Sequence, residues 1–164
     1  MDRSQWYIGT PGGIILCIDR MEDRQICGRF YHRYAEQGIA FSNTERMLFQ
    51  VERFFDGIAF PYPATAERSF REPVMKKEKC GERAEKMSDQ ELLKKHGELG
   101  TFIIRVQHRQ NSSWQGRITW METNRTLCFR SVWEMIKLIA SAVETPEQAE
   151  EEGAEKEQSW FGEE

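Results

Sequence analysis

The sequence predicts an α+β fold: two pseudo-repeated ββ(β)α units, their helices packed on one side of an antiparallel sheet, followed by an acidic, disordered C-terminal tail. Three observations predict it. Apolar residues alternate with polar ones over short β-branched and aromatic runs, the pattern of half-buried strands. Two later runs switch to spacings of three and four residues behind a Ser-x-x-Glu signature, the pattern of capped helices. The third is a self-match. Shifted by 88 residues, the chain lays Gly9 on Gly97, Gly12 on Gly100, Ile15 on Ile103, Gly28-Arg29 on Gly116-Arg117, Phe41 on Phe129 and Met47 on Met135. These are seven identities in the 48 pairs from 9/97 to 56/144, so the register of hydrophobicity carries the argument more than identity does.

Each unit opens with an apolar strand (13–19 and 101–107), turns through polar residues (22–25 and 110–113) and returns in a second strand (26–34 and 114–122). A brief third strand follows (38–41 and 126–129). Helices then close the units. Helix 43–56 presents Met47, Leu48, Val51, Phe54 and Phe55 to the core behind Ser42 and Glu45; helix 132–143 presents Val132, Met135, Ile136, Ile139 and Val143 behind Ser131 and Glu134. A shorter helix over 88–96 carries its own Ser88–Glu91 cap. In 57–70 two prolines flank Tyr62, so the helix cannot continue, and Phe60, Tyr62 and Phe70 are the expected anchors of a segment crossing back over the sheet. The chain thus divides into a first unit (1–71), a charged linker (72–87), a second unit (88–143) and the tail (144–164).

Composition narrows the function. At 39% hydrophobic the chain can build a core, while 30% charged residues and a mean hydropathy of -0.69 place a sizeable fraction outside it. Residues 1–7 do not read as a signal peptide, and the longest apolar run, 132–143, is interrupted by Glu134 and Lys137, so no membrane span is expected. Cys17, Cys27, Cys80 and Cys128 form no CxxC pair, and His32, His96 and His108 stand at no ligand spacing near them. No metal site follows; the thiols read as reduced, in a cytoplasm. A GxSxG elbow is missing, no Cys/His pair stands in a recognisable context, and Gly9-Thr10-Pro11-Gly12-Gly13 lacks the Lys-Ser/Thr of a phosphate loop. The expectation is therefore a protein that is not an enzyme and needs no cofactor.

Charge is uneven. Residues 144–164 hold nine glutamates and one lysine, so with a formal net charge of -4 overall the remainder carries about +4. Strand alternation concentrates part of that positive charge on one sheet face. With Phe102, Ile104 and Val106 facing the helices, Arg105, Gln107 and Arg109 face away, joined by Gln115, Arg117 and Thr119 of the next strand. The first unit adds Cys27, Arg29, Tyr31 and Arg33. The candidate ligand-binding residues are therefore Arg29, Tyr31, Arg33, Arg105, Arg109 and Arg117. Three occupants fit such a face: solvent alone, an acidic protein segment (a partner's or this chain's own tail), and a nucleic acid or nucleotide gripped by phosphate. In the tail, Trp160 and Phe161 form an aromatic island of the kind that docks in a hydrophobic groove.

Two resemblances bear on these readings. Arg105-xxx-Arg109 with Asn111-x-Ser113-xx-Gly116 is similar, piece by piece, to the signatures of PilZ domains, which bind cyclic di-GMP. In that family, however, a strand separates the two motifs, whereas here one residue does. The stretches TFIIRVQHRQNSSWQGRITWMETNRTLCFRSVWEMIKLIASAV and GRFYHRYAEQGIAFSNTERMLFQVERFFDGIAFPYPATAERSF resemble a family of short uncharacterised proteins of anaerobic Gram-positive, clostridia-like bacteria. That resemblance implies a bacterial cytoplasmic setting and no particular activity. The expected function is a non-catalytic interaction or adaptor protein that binds a protein partner through the sheet face, the tail or both. A nucleic-acid or nucleotide binder is the competing reading, and pairing of strand edges into a homo-oligomer is compatible with either.

Overall fold

The computed structural model describes residues 8–63, 68–71 and 84–144. Its strands are β1 (Ile14–Glu22), β2 (Gln25–Tyr31), β3 (Ile39–Phe41), β4 (Gly100–His108), β5 (Gln115–Trp120) and β6 (Arg125–Phe129). Its helices are α1 (Thr44–Ile58), α2 (Asp89–Leu92) and α3 (Val132–Val143). The strands form one antiparallel sheet in the order β3-β2-β1-β4-β5-β6, so the α+β expectation holds. No helix among the described residues is long and apolar enough to cross a membrane.

The sheet registers follow the glycines. β1 and β2 pair through Ile15–Tyr31, Leu16–Phe30, Cys17–Arg29 and Ile18–Gly28, then slip by one residue before Arg20–Cys27. β4 and β5 pair through Ile103–Thr119, Ile104–Ile118, Arg105–Arg117 and Val106–Gly116, then slip before His108–Gln115. At each slip the backbones crowd: a Cβ on Gly28 would stand 1.9 Å from the Cys17 carbonyl oxygen, and one on Gly116 would stand 2.0 Å from that of Arg105. Only glycine permits that approach. The two hairpins meet where β1 pairs β4, around Ile15–Ile103.

One core spans both halves. Leu16, Phe30, Phe102, Ile104, Ile118 and Phe129 of the sheet pack against Met47, Val51, Phe55, Met135 and Ile139 of the helices. A second, smaller cluster sits on the opposite face, where Ile8, Met87 and Leu92 cover Ile15, Cys17, Tyr31 and Ile103.

Caps and anchors hold these elements, with several departures from expectation. The N-cap of α1 is Asn43, one residue beyond Ser42; its side-chain oxygen accepts from the Arg46 amide at 2.8 Å. Ser and Asn are nearly equivalent caps, so sequence could not choose between neighbours. Ser131 caps α3 as expected, but Glu134 accepts from the amide of Arg130, not from that of Ser131. Ser88 and Glu91 make a complete capping box on α2. Of the expected anchors, Tyr62 and Phe70 are both exposed. Phe60 lies against the body, close to Gly12.

Candidate functional site

The face of the sheet turned away from α1 and α3 falls into three rows of paired residues. The middle row runs Tyr31, Ile15, Ile103, Thr119, Thr126. On one side of it lie Ala40, Arg29, Cys17 and Thr101; on the other, Arg105, Arg117 and Cys128. Arg29 and Arg117 thus stand three strands apart, roughly 14 Å across the sheet alone. The arginine face of the sequence reading is two separate patches.

In the first patch the charges are already matched. The Arg29 guanidinium pairs with Asp19, donates to the Tyr31 hydroxyl at 2.6 Å and donates to the His96 carbonyl at 3.0 Å. Arg33 pairs with Glu85 at 3.4 Å and Asp89 at 3.3 Å, while its carbonyl accepts from the amides of Lys86 and Met87. Tyr31 is buried and lies under Lys95, whose Nζ sits 5.0 Å from the ring centroid. Arg29, Tyr31 and Arg33 therefore hold residues 85–96 onto the sheet. Burial beneath this cover pushes the Cys17 thiol up to about 12, so it stays protonated at neutral pH and is no nucleophile.

The second patch lies on β4, β5 and β6. Arg105 and Arg117 stand directly opposite each other on β4 and β5, with Cys128 beyond them on β6. Arg105 is half-buried and donates to the Thr119 hydroxyl at 3.4 Å, and that hydroxyl shares a 2.8 Å hydrogen bond with Thr126. Arg117 is exposed and, among the described residues, makes no ion pair or hydrogen bond. Where the first patch has Asp19 at the strand slip, the second has Gln107. Two like charges facing each other across a strand pair are unfavourable by themselves and favour the arrival of an anion.

Arg109 belongs to neither patch, which corrects its placement on the outer face. The slip between Val106 and His108 adds one residue to the strand and turns Arg109 toward the helices. Its side chain is 4% exposed, donates to the Pro61 carbonyl at 2.7 Å and pairs with Glu52 at 2.9 Å and Asp56 at 2.8 Å on α1. Trp114 donates its indole N–H to the same Glu52. The arginine ties the second hairpin to α1, and its burial puts the PilZ-like motif out of reach of a surface ligand. Trp160 and Phe161 lie outside the described residues. Thr126 and Cys128, which the sequence reading left out of the site, could have been found by carrying the alternation into the third strand.

Among the described residues no group of His, Cys, Asp and Glu could hold a metal ion. Comparison with protein-family models, with curated proteins and with solved structures gives no match.

Proposed function

We propose that this chain is a non-catalytic interaction protein, working in a bacterial cytoplasm, whose β4–β5–β6 face receives an acidic segment of a protein partner. Arg117 carries the reading: an exposed guanidinium that makes no ion pair or hydrogen bond among the described residues, facing Arg105 across the strand pair, with the hydroxyls of Thr119 and Thr126 on the same face. A carboxylate-rich segment supplies a counter-charge to Arg117 and accepts from its guanidinium. The tail with Trp160 and Phe161 is a second contact in this proposal, and edge pairing through β6 a route to oligomers. We also propose that the two halves descend from one duplicated unit; the paired registers of the two hairpins, each position 88 residues from its counterpart, support this.

A phosphate ligand is the second reading, favoured by the same arginine pair, since guanidiniums grip phosphate as well as carboxylate. It ranks below the first because the patch retains two outward arginines, whereas nucleic-acid binding rests on neutralising several phosphates. Fluorescence polarisation of a labelled hexaglutamate peptide and of a labelled oligothymidine, each over a salt series, separates the readings. The expected result is peptide binding at low salt that weakens about tenfold in Arg117→Gln. An oligonucleotide bound more tightly, with the steeper log–log salt slope, transfers the site to phosphate. Binding of neither at low salt overturns both.

A further inference from the structure

On the helix side of the sheet, under the C-terminal half of α3, Phe102, Ile118, Trp120, Leu127, Leu138 and Ala142 line a half-open pocket of about 160 Å³. At the matching place in the first half a pair of rings fills the space. There, 88 residues earlier, Phe54 stands where Ala142 does and His32 where Trp120 does, and the two rings stack at 4.0 Å. Ala142 removes that ring and leaves the space. Apolar cavities of this size, about 150 Å³, accept a single six-membered ring such as benzene.

Two polar groups at the cavity have no partner. The Trp120 indole nitrogen is buried and makes no hydrogen bond, a costly state for a donor out of water. Arg125, which also lines the cavity, is exposed and makes no ion pair among the described residues. Ser141, the remaining polar residue, already donates to the Leu138 carbonyl at 2.7 Å. Trp120 Nε1 has no surface that a ligand could reach, so the lining offers one donor, the Arg125 guanidinium, and no acidic side chain. We propose that this pocket binds a ring-sized amphipathic anion, a small aryl or cycloalkyl carboxylate, with the ring against Phe102, Leu138 and Ala142 and the carboxylate accepting from Arg125, the Trp120 indole nearby reporting its arrival. The site is independent of the arginine patch on the other face.

The test titrates ¹⁵N-labelled full-length protein with benzoate and, separately, with benzyl alcohol, following the Trp120 indole N–H signal. Benzoate is expected to move that signal and to bind about tenfold more tightly than the alcohol, the difference vanishing in Arg125→Gln. Ala142→Phe, which restores the ring of the first half, is expected to abolish the shift while the backbone spectrum stays dispersed. The proposal is overturned if the signal is still up to about 10 mM benzoate, roughly ten times the Kd expected of a ligand so small. Equal binding of acid and alcohol by the unaltered protein overturns the anionic assignment. Because Arg125 is at the surface, its variant decides the question even if Ala142→Phe does not fold.

Discussion

At four pairs of positions 88 residues apart, the two halves of the sheet carry different side chains on matching backbone: Cys17 and Arg105, Asp19 and Gln107, Tyr31 and Thr119, Phe54 and Ala142. In the first half these residues satisfy one another. Asp19 neutralises Arg29, Cys17 and Tyr31 sit under Met87 and Leu92, and Phe54 fills the space beside His32. In the second half the same backbone carries facing arginines and a cavity. Since the strand registers are shared, the difference is not forced by folding. Stability requirements are met on one side, and groups suited to bind something else are left over on the other. Buried polar atoms without a hydrogen bond occur on both sides, Arg33 Nε and Gln50 Oε1 in the first half and Trp120 Nε1 in the second, whereas facing arginines across a strand pair belong to the second.

The shared backbone can be broken first. Gly28→Ala and Gly116→Ala each drive a methyl group into a carbonyl oxygen, 1.9 and 2.0 Å away, and both should destabilise by about 3 kcal/mol or more in urea unfolding. A small effect at one of the two would mean that the hairpins differ in backbone as well as in side chains. Next comes the filled space: Phe54→Ala should cost about 3–4 kcal/mol and open in the first half a cavity like that of the second, read as a lowered denaturation midpoint. The smallest effects separate the two patches. Arg29→Gln should lose about 1 kcal/mol with its half-exposed ion pair, whereas Arg117→Gln should stay within about 0.5 kcal/mol of the parent and change only binding. Equal losses at both positions would erase the distinction between a structural and a ligand-facing arginine.

The alternation of Ile14, Leu16 and Ile18 and of Phe102, Ile104 and Val106 was enough to assign the strands and the helix side of the sheet, because period two survives any context. The stripes of α1 and α3 were as plain. Arg109 was misplaced because a one-residue slip leaves no mark in composition, yet it reverses every side chain beyond it. Tyr31 was taken for a surface residue since part of its cover, Met87, comes from a stretch whose lysines and glutamates read as solvated linker, and the rest, Leu92, from a short helix whose docking place the sequence does not give. The ion pairs of Arg33 were hidden for the same reason: Glu85 and Asp89 lie more than 50 residues from it, and sequence spacing says nothing about such distances. The cavity was invisible, as Ala142 is an ordinary helix residue until the place of Phe54 is known.

The seam between β1 and β4 has a kinetic consequence. Within each hairpin the pairs close from the turn outward, the outermost, Ile15–Tyr31, spanning 16 residues, whereas Ile15–Ile103 spans 88. Loop-closure entropy adds about 0.6 kcal/mol per doubling, so the seam costs roughly 1.5 kcal/mol more to close than the hairpins it joins. The hairpins therefore form ahead of the seam, and until it closes each presents a nine-residue, strongly apolar strand edge. Such an edge pairs as readily with the β4 of another molecule as with its own, which makes the middle of the sheet the place where halves exchange between chains when the protein refolds at high concentration.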